Sequence, residues 1–153
     1  MPELPEVHTT VEGLKRVIIG KIIKNVWSDF HVGAKYHDRQ NIKNKKYFEK
    51  FKKIVTGAKI KSLERRGKNI IIHLNNKHSI IVHMKMTGNL MYGLYPDNKF
   101  IHLKFNLSDK KDLLLADMRK FASVTISKTD ELHLHDTVGK LGPDPLDSDF
   151  SAK

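Results

Sequence analysis

Apolar residues in this chain follow two rhythms, a helical one near the start and a strand-like one after residue 58. Over residues 4–19, Val7, Val11, Leu14, Val17 and Ile18 recur at spacings of three and four, which lines one helix face, and Gly20 supplies a stop. Pro5 and Glu6 suit a first helical turn, one by its fixed φ and the other by its charge against the helix dipole. Residues 22–27 read as a strand and 28–45 as a polar, poorly periodic loop. Tyr47, Phe48, Phe51, Ile54 and Val55 mark a short amphipathic helix with lysines on its outer side. Those lysines form either a solvated face or a phosphate-touching one.

From residue 58 the period is two. Strands are predicted at 59–64, 69–74, 79–84, 100–107, 112–117 and 122–127, with turns at Asn75-Asn76-Lys77-His78 and Ser108-Asp109-Lys110-Lys111. Short, sequential, turn-linked strands favour antiparallel pairing. The expected fold is α+β, mainly β: an antiparallel two-layer β-sandwich flanked by the N-terminal helix and the second short helix. The stretch LGPDPLDSDFSAK is rich in Pro and Asp. It divides the chain into an expected domain over 1–140 and an expected linker over 141–153.

Charge narrows the partners. Lys and Arg number 28 against 17 Asp and Glu, a net +11 over 153 residues. A polyanion is the first implication, DNA or RNA ahead of an anionic membrane surface, with a merely soluble basic surface as the plain alternative. The chain has no cysteine, which excludes disulfides, thiolate zinc sites and a cysteine nucleophile. His133 and His135 could pair on a metal, but no third ligand accompanies them and they read as surface residues; no metal site is expected. No apolar run approaches the ~20 residues of a membrane span, and no secretory signal is visible. The expected location is intracellular, with no membrane partner.

The first seven residues, MPELPEV, crowd a potential proline amine and two carboxylates at a terminus. This heptapeptide resembles the start of the formamidopyrimidine-DNA glycosylase and endonuclease VIII family. RRGKNIIIHL at 65–74, IIVHMKMTGNL at 80–90, HLKFNL at 102–107, ADMRKF at 116–121 and LGPDPLDSDF at 141–150 follow in the family's order. The resemblance implies a base-excision-repair glycosylase with abasic-site lyase activity on oxidised purines such as 8-oxoguanine and formamidopyrimidines. It implies damaged double-stranded DNA as partner and a monomer.

The chemistry is intelligible on its own terms. Met1 precedes a small residue, so its removal is expected, leaving Pro2 with a free secondary amine. α-Amino groups titrate near 7.7–8.0, so roughly 10–20% is neutral and nucleophilic at pH 7. Attack on C1′ expels the base and leaves a Schiff base, whose iminium acidifies the C2′ proton and permits strand cleavage by elimination. The resemblance assigns Glu3 as the acid that helps open the sugar, Glu6 as a proton shuttle or orienting group, and Lys68 as a phosphate contact that assists elimination. Taken alone, Glu3 and Glu6 could simply compensate the helix dipole, and Lys68 could be a strand-end lysine in water.

A base inside a duplex must be flipped out before its glycosidic bond is reached. By resemblance, His83 and His102 contact the DNA, Met86 wedges into the stack, and Arg119 and Phe121 join it, Arg119 facing the orphan base. Apolar wedges and a guanidinium suit those roles, although Met86 and Phe121 could equally pack in a core. The family normally continues into a helix–two-turn–helix domain and a four-cysteine zinc finger. Those parts are expected to be absent from this chain, which is expected to need no cofactor and to act weakly alone. Lys85, Met118 and Ala122 depart from the family's usual glycine, proline and glycine. The competing reading is a non-catalytic DNA-binding module that keeps the fold.

Overall fold

The computed structural model describes residues 4–31, 41–84, 88–94, 98–117 and 122–134, with the backbone alone at 4–8 and 133–134. The elements are α1 (Leu4–Ile18), β1 (Ile23–Ser28), α2 (Lys45–Val55), β2 (Ile60–Arg66), β3 (Asn69–Leu74), β4 (His78–His83), β5 (Gly88–Gly93), β6 (Ile101–Leu107), β7 (Asp112–Asp117), β8 (Ser123–Lys128) and a short 3-10 helix, Thr129–Leu134.

The strands form two four-stranded antiparallel sheets, ordered β1-β6-β7-β5 and β2-β3-β4-β8. Their inner faces share one core: Ile70, Ile72 and Leu74 from β3 and Leu103, Phe105 and Leu107 from β6 all lie in it. This is the expected sandwich. In β3 the odd-numbered Ile71 is also fully buried, packing with Ile81 under Leu132 of the 3-10 helix. Both faces of that sheet are covered there, which is why NIII and IIV read as continuous apolar runs rather than alternations.

The helices close the two open sides of the sandwich. α1 buries Val11, Leu14 and Ile18, the stripe its spacing predicts, and packs against β2 and β5, the edge strands on one side. α2 buries Phe48, Phe51 and Val55 and closes the other side. It packs on β1, and the Tyr47 hydroxyl donates to Ile126 O at 3.4 Å and accepts the Ile126 N–H at 3.0 Å in β8. Asn44 caps α2, its side-chain oxygen accepting the Tyr47 N–H at 3.2 Å.

Two elements depart from expectation. β5 was not anticipated from the pattern, because GNLMYG has glycine at both ends and fully buries Leu90 alone of its apolar residues in the main core, with Tyr92 packed partly against it. Residues 28–45 are not simply a polar loop, since Phe30, Asn41 and Ile42 are buried. The expected linker at 141–153 lies outside the described residues. Among the described residues, no helix is long and apolar enough to cross a membrane.

Candidate functional site

Strand direction gathers the candidate residues at one end of the sandwich. In one sheet Arg66 pairs with Asn69, Asn69 with His83, and His83 with Ser123. In the other, Ser28 pairs with Leu103, Ile101 with Ala116, and Asp117 with Gly88. The two sheets are tied at this same end. The Gly88 N–H donates to Met84 O at 3.0 Å, and the Ala122 N–H donates to the Asp117 carboxylate at 2.6 Å. Lys68, His83 and His102 therefore share one end, although they come from different hairpins and different sheets.

α1 points its start toward that end. Its C-terminal end is anchored at the opposite one, where the Gly20 N–H donates to Ile60 O at 2.8 Å and the Ile60 N–H donates to Lys21 O at 2.9 Å. Fifteen helical residues rise about 22 Å, close to the length of the seven-residue β2, about 23 Å. The first turn of α1 is thus level with the β2–β3 turn that carries Lys68. Glu6 belongs to that first turn, by its backbone. Pro2, Glu3, Met86, Arg119 and Phe121 lie outside the described residues.

Lys68 stands in a two-residue turn closed by the Arg66–Asn69 pair. Gly67, at φ 61°, takes the left-handed position such a turn requires. Lys68 is half-exposed, as is His83 at the end of β4. Beneath them three polar side chains are buried: Arg65, Asn69 and Asp117, at 2%, 1% and 0% exposure. Arg65 donates from Nη1 to Gly67 O at 3.4 Å. A buried guanidinium and a buried carboxylate are costly unless satisfied, so their placement here marks this end as something other than a plain lid on the core.

His102 is held by its surroundings. Its Nδ1–H donates to the Asp29 carboxylate at 2.8 Å. The Phe30 ring meets it edge-on at 5.8 Å. Ser28 Oγ and the Asp29 N–H both donate to its backbone carbonyl, at 2.7 and 3.1 Å. The carboxylate accepts the hydrogen bond from Nδ1–H, which makes Nε2 the acceptor nitrogen of the neutral ring.

A second histidine network lies on the outer face of the β2-β3-β4-β8 sheet. His73 Nε2–H donates to Glu64 at 2.5 Å, the Ser79 hydroxyl bonds His73 Nδ1 at 2.7 Å, and Ser79 and Thr129 share a bond of 2.7 Å. Arg66 Nε donates to the other Glu64 oxygen at 2.6 Å. The hydrogen bond from His73, aided by Arg66, holds the Glu64 carboxyl below its usual range despite partial burial. The Ser–His–Glu order mimics a hydrolase triad. Ser79, however, is completely buried, so the array braces strands and the 3-10 helix rather than presenting a nucleophile.

Asp29, Arg65 and Asp117 were not singled out from sequence. Arg65 had a usable signal, since it shares strand parity with the core residue Leu63. Asp29 and Asp117 had none, because their roles arise from contacts with residues distant in the chain or across a loop. Among the described residues, no group of three or more His, Asp or Glu side chains could hold a metal ion.

The fold and site together define an α+β sandwich domain with a histidine- and lysine-bearing end. Residues 1–124 match the profile of the formamidopyrimidine-DNA glycosylase N-terminal domain, and the chain belongs to that family. It is 34% identical over 155 aligned positions to a formamidopyrimidine-DNA glycosylase of Oceanobacillus iheyensis, covering 99% of this chain and 51% of the relative. The Bacillus subtilis protein of that name is 33% identical, with coverage of 99% and 52%. Among solved structures, Lactococcus lactis FPG with Fapy-dG-containing DNA superposes at TM-score 0.72 and 30% identity, over 84% of this chain and 45% of that one. The same protein with abasic-site-containing DNA gives 0.73 at 30% identity, over 85% and 45%. The chain spans about half the length of the relatives it matches.

Proposed function

We propose that this chain is the catalytic half of a DNA glycosylase and abasic-site lyase that acts on oxidised purines through the amine of Pro2. The observation that carries the reading is the convergence at one end of the sandwich. The first turn of α1, the Lys68 turn, His83 and His102 come together there in a member of the formamidopyrimidine-DNA glycosylase family. Relatives of the same fold are seen in complex with Fapy-dG and abasic-site DNA.

In this reading the Pro2 amine attacks C1′ of the damaged nucleotide. The C1′–N bond to the base breaks, the base leaves with the proton given up by the amine, and Pro2 is left bonded to C1′ as a ring-closed aminal. Glu3 protonates the sugar ring oxygen as the C1′–O4′ bond breaks, which opens the ring and gives the iminium. Loss of the C2′ proton then expels the 3′ phosphate. Lys68 stabilises the charge on that phosphate, and His83 and His102 bind the backbone. Met86, Arg119 and Phe121 fill the space the flipped nucleotide leaves. Glu6, one turn into α1, orients Glu3 or relays its proton.

Single-turnover cleavage of abasic and 8-oxoguanine duplexes tests the reading. Cleavage of the abasic duplex should exceed that of the 8-oxoguanine duplex, because choosing and flipping a base asks for more grip than an already open sugar. Blocking the amine by retaining Met1 should abolish both. Cleavage that survives a blocked terminus would overturn the mechanism, and the non-catalytic DNA-binding reading would follow if neither duplex is cut.

A further inference from the structure

The lysines of α2 have no part in the chemistry above. Lys45, Lys46, Lys50, Lys52 and Lys53 are all exposed, with Glu49 the sole acid among them in the helix. At 100° per residue Lys46, Lys50 and Lys53 form one row, at spacings of four and three, on the side opposite Phe48, Phe51 and Val55, while Lys45 and Lys52 flank the buried face. Neighbouring elements add to the patch. The Asn76 side chain donates to Ile54 O at 2.8 Å, which sets the β3–β4 turn, and with it exposed Lys77, against the last turn of α2. Lys77 O accepts the Thr129 N–H at 2.9 Å, so exposed Lys128 is adjacent. Asp130 and Glu131 on the 3-10 helix are the exposed acids nearest that corner.

The chemistry of this face selects its partner. A helix that lies on a membrane needs an exposed apolar side, and the apolar side of α2 is spent in the core. A single-strand platform needs exposed aromatic rings, and Tyr47 is half-buried with its hydroxyl bonded to the Ile126 backbone. Lysines alone, without arginine, act as flexible point charges suited to phosphate and lack the rigid fork that arginine brings to a base edge. What remains is the phosphate backbone of duplex DNA, bound without regard to sequence.

Orientation makes this a second face rather than an extension of the first. α2 begins near β8, where the Ile42 N–H donates to Val124 O at 3.2 Å, and ends where the Gly57 N–H donates to Ile23 O at 2.7 Å, at the opposite end from Lys68. The helix therefore runs along a side of the sandwich, whereas Lys68, His83 and His102 occupy an end. Duplex DNA is stiff over about 150 base pairs, so a segment lying on the end does not also cover the side. We propose that the lysine face of α2 docks a second, undamaged duplex segment, so that one molecule bridges two duplexes. The proposal rests on the reading of the end face as a DNA site.

The test immobilises one undamaged duplex, adds the full-length chain, and measures retention of a second, fluorescent duplex. The wild type should retain it at about 50 mM salt and release it by about 200 mM, as counterion release dictates. The exposed triple variant K46Q/K50Q/K53Q should retain at least ~5-fold less, with a salt slope smaller by about 2–3. Its loading on the first duplex and its cleavage of an abasic duplex should stay within about twofold, since additivity holds for distant sites. Equal retention by the variant, or no retention by the wild type at low salt, overturns the proposal. So does lysine-dependent binding to anionic vesicles in place of duplex. Loss of abasic cleavage with bridging intact would count against the catalytic reading and leave this one standing.

Discussion

The two ends of the sandwich are built on different terms. The end opposite Lys68 is closed by short turns whose polar side chains accept backbone N–H groups, within the turn or from a neighbouring segment. Asn75 accepts the Lys59 N–H at 3.0 Å, Ser108 Oγ accepts the Ile22 N–H at 3.0 Å, and Asp109 accepts the Lys111 N–H at 3.0 Å. These turn side chains lie at the surface, Asn75 and Ser108 exposed and Asp109 half-buried; the Asp109 bond is the ordinary local use of Asp in a turn, and the other two tie the turn to a neighbouring segment. The Lys68 end instead buries Arg65, Asn69 and Asp117 and hangs two inter-sheet connections from Gly88 and Asp117. One end bonds its polar side chains to backbone at the surface; the other buries polar groups where the Lys68 turn between β2 and β3, His83 of β4 and His102 of β6 face one place. Stability should therefore depend on the core and the hydrogen-bonded turns, and activity on the polar end.

The largest predicted effect is the shared control. Phe51 is fully buried and lies between Phe48, stacked at 6.4 Å, and Phe105, tilted at 6.2 Å. Phe51→Ala should cost about 3–5 kcal/mol in chemical denaturation. Next comes Asp117→Ala, which strands the Ala122 N–H and should cost about 1–3 kcal/mol. It should lower abasic cleavage beyond any fall in folded fraction, because the connection carrying Arg119 and Phe121 loses its tie. A stability loss without that extra activity loss would erase the contrast between the ends.

Gly88→Ala sharpens the same contrast. An added Cβ would lie 2.5 Å from Met84 O, so the backbone must move, at a cost of about 1–3 kcal/mol. Cleavage should again fall more than stability. At the opposite end, Asn76→Ala removes the bond to Ile54 O and should cost about 1 kcal/mol with cleavage per folded molecule unchanged.

The smallest effect is on acid stability. Glu64 titrates below the ordinary glutamate value of 4.5, chiefly because His73 donates to its carboxylate. A depressed folded-state value means the contribution is fully present above about 4.5 and is lost as pH falls through the folded value. Glu64→Gln should therefore flatten the pH dependence of melting temperature below about pH 5 and leave it unchanged near neutrality. An unaltered acid limb would show the Glu64–His73 bond to be energetically silent.

The contrast between the ends also explains what was legible in the sequence. The turn at 75–78 and the strands around it were readable because Asn-Asn-Lys-His and the apolar rhythm act locally. α1 and α2 were readable from their stripes. β5 was not, because its pairing with β7 is what makes GNLMYG a strand. At the other end, Lys68 and His83 came to notice through resemblance alone; nothing in RRGKN or IIVHM says that they converge. The Asp29–His102 bond spans 73 positions, and no local pattern encodes a partner at that separation.

The central claim is that the Pro2 amine is the nucleophile at the polar end. The most direct measurement is borohydride trapping of the untagged chain on a duplex with one abasic site, followed by mass mapping of the adduct. The account predicts a covalent complex mapped to Pro2, lost in Pro2→Gly and weakened in Lys68→Ala. No adduct with Met1 shown to be removed, or an adduct mapped to a lysine and unchanged in Pro2→Gly, would contradict it.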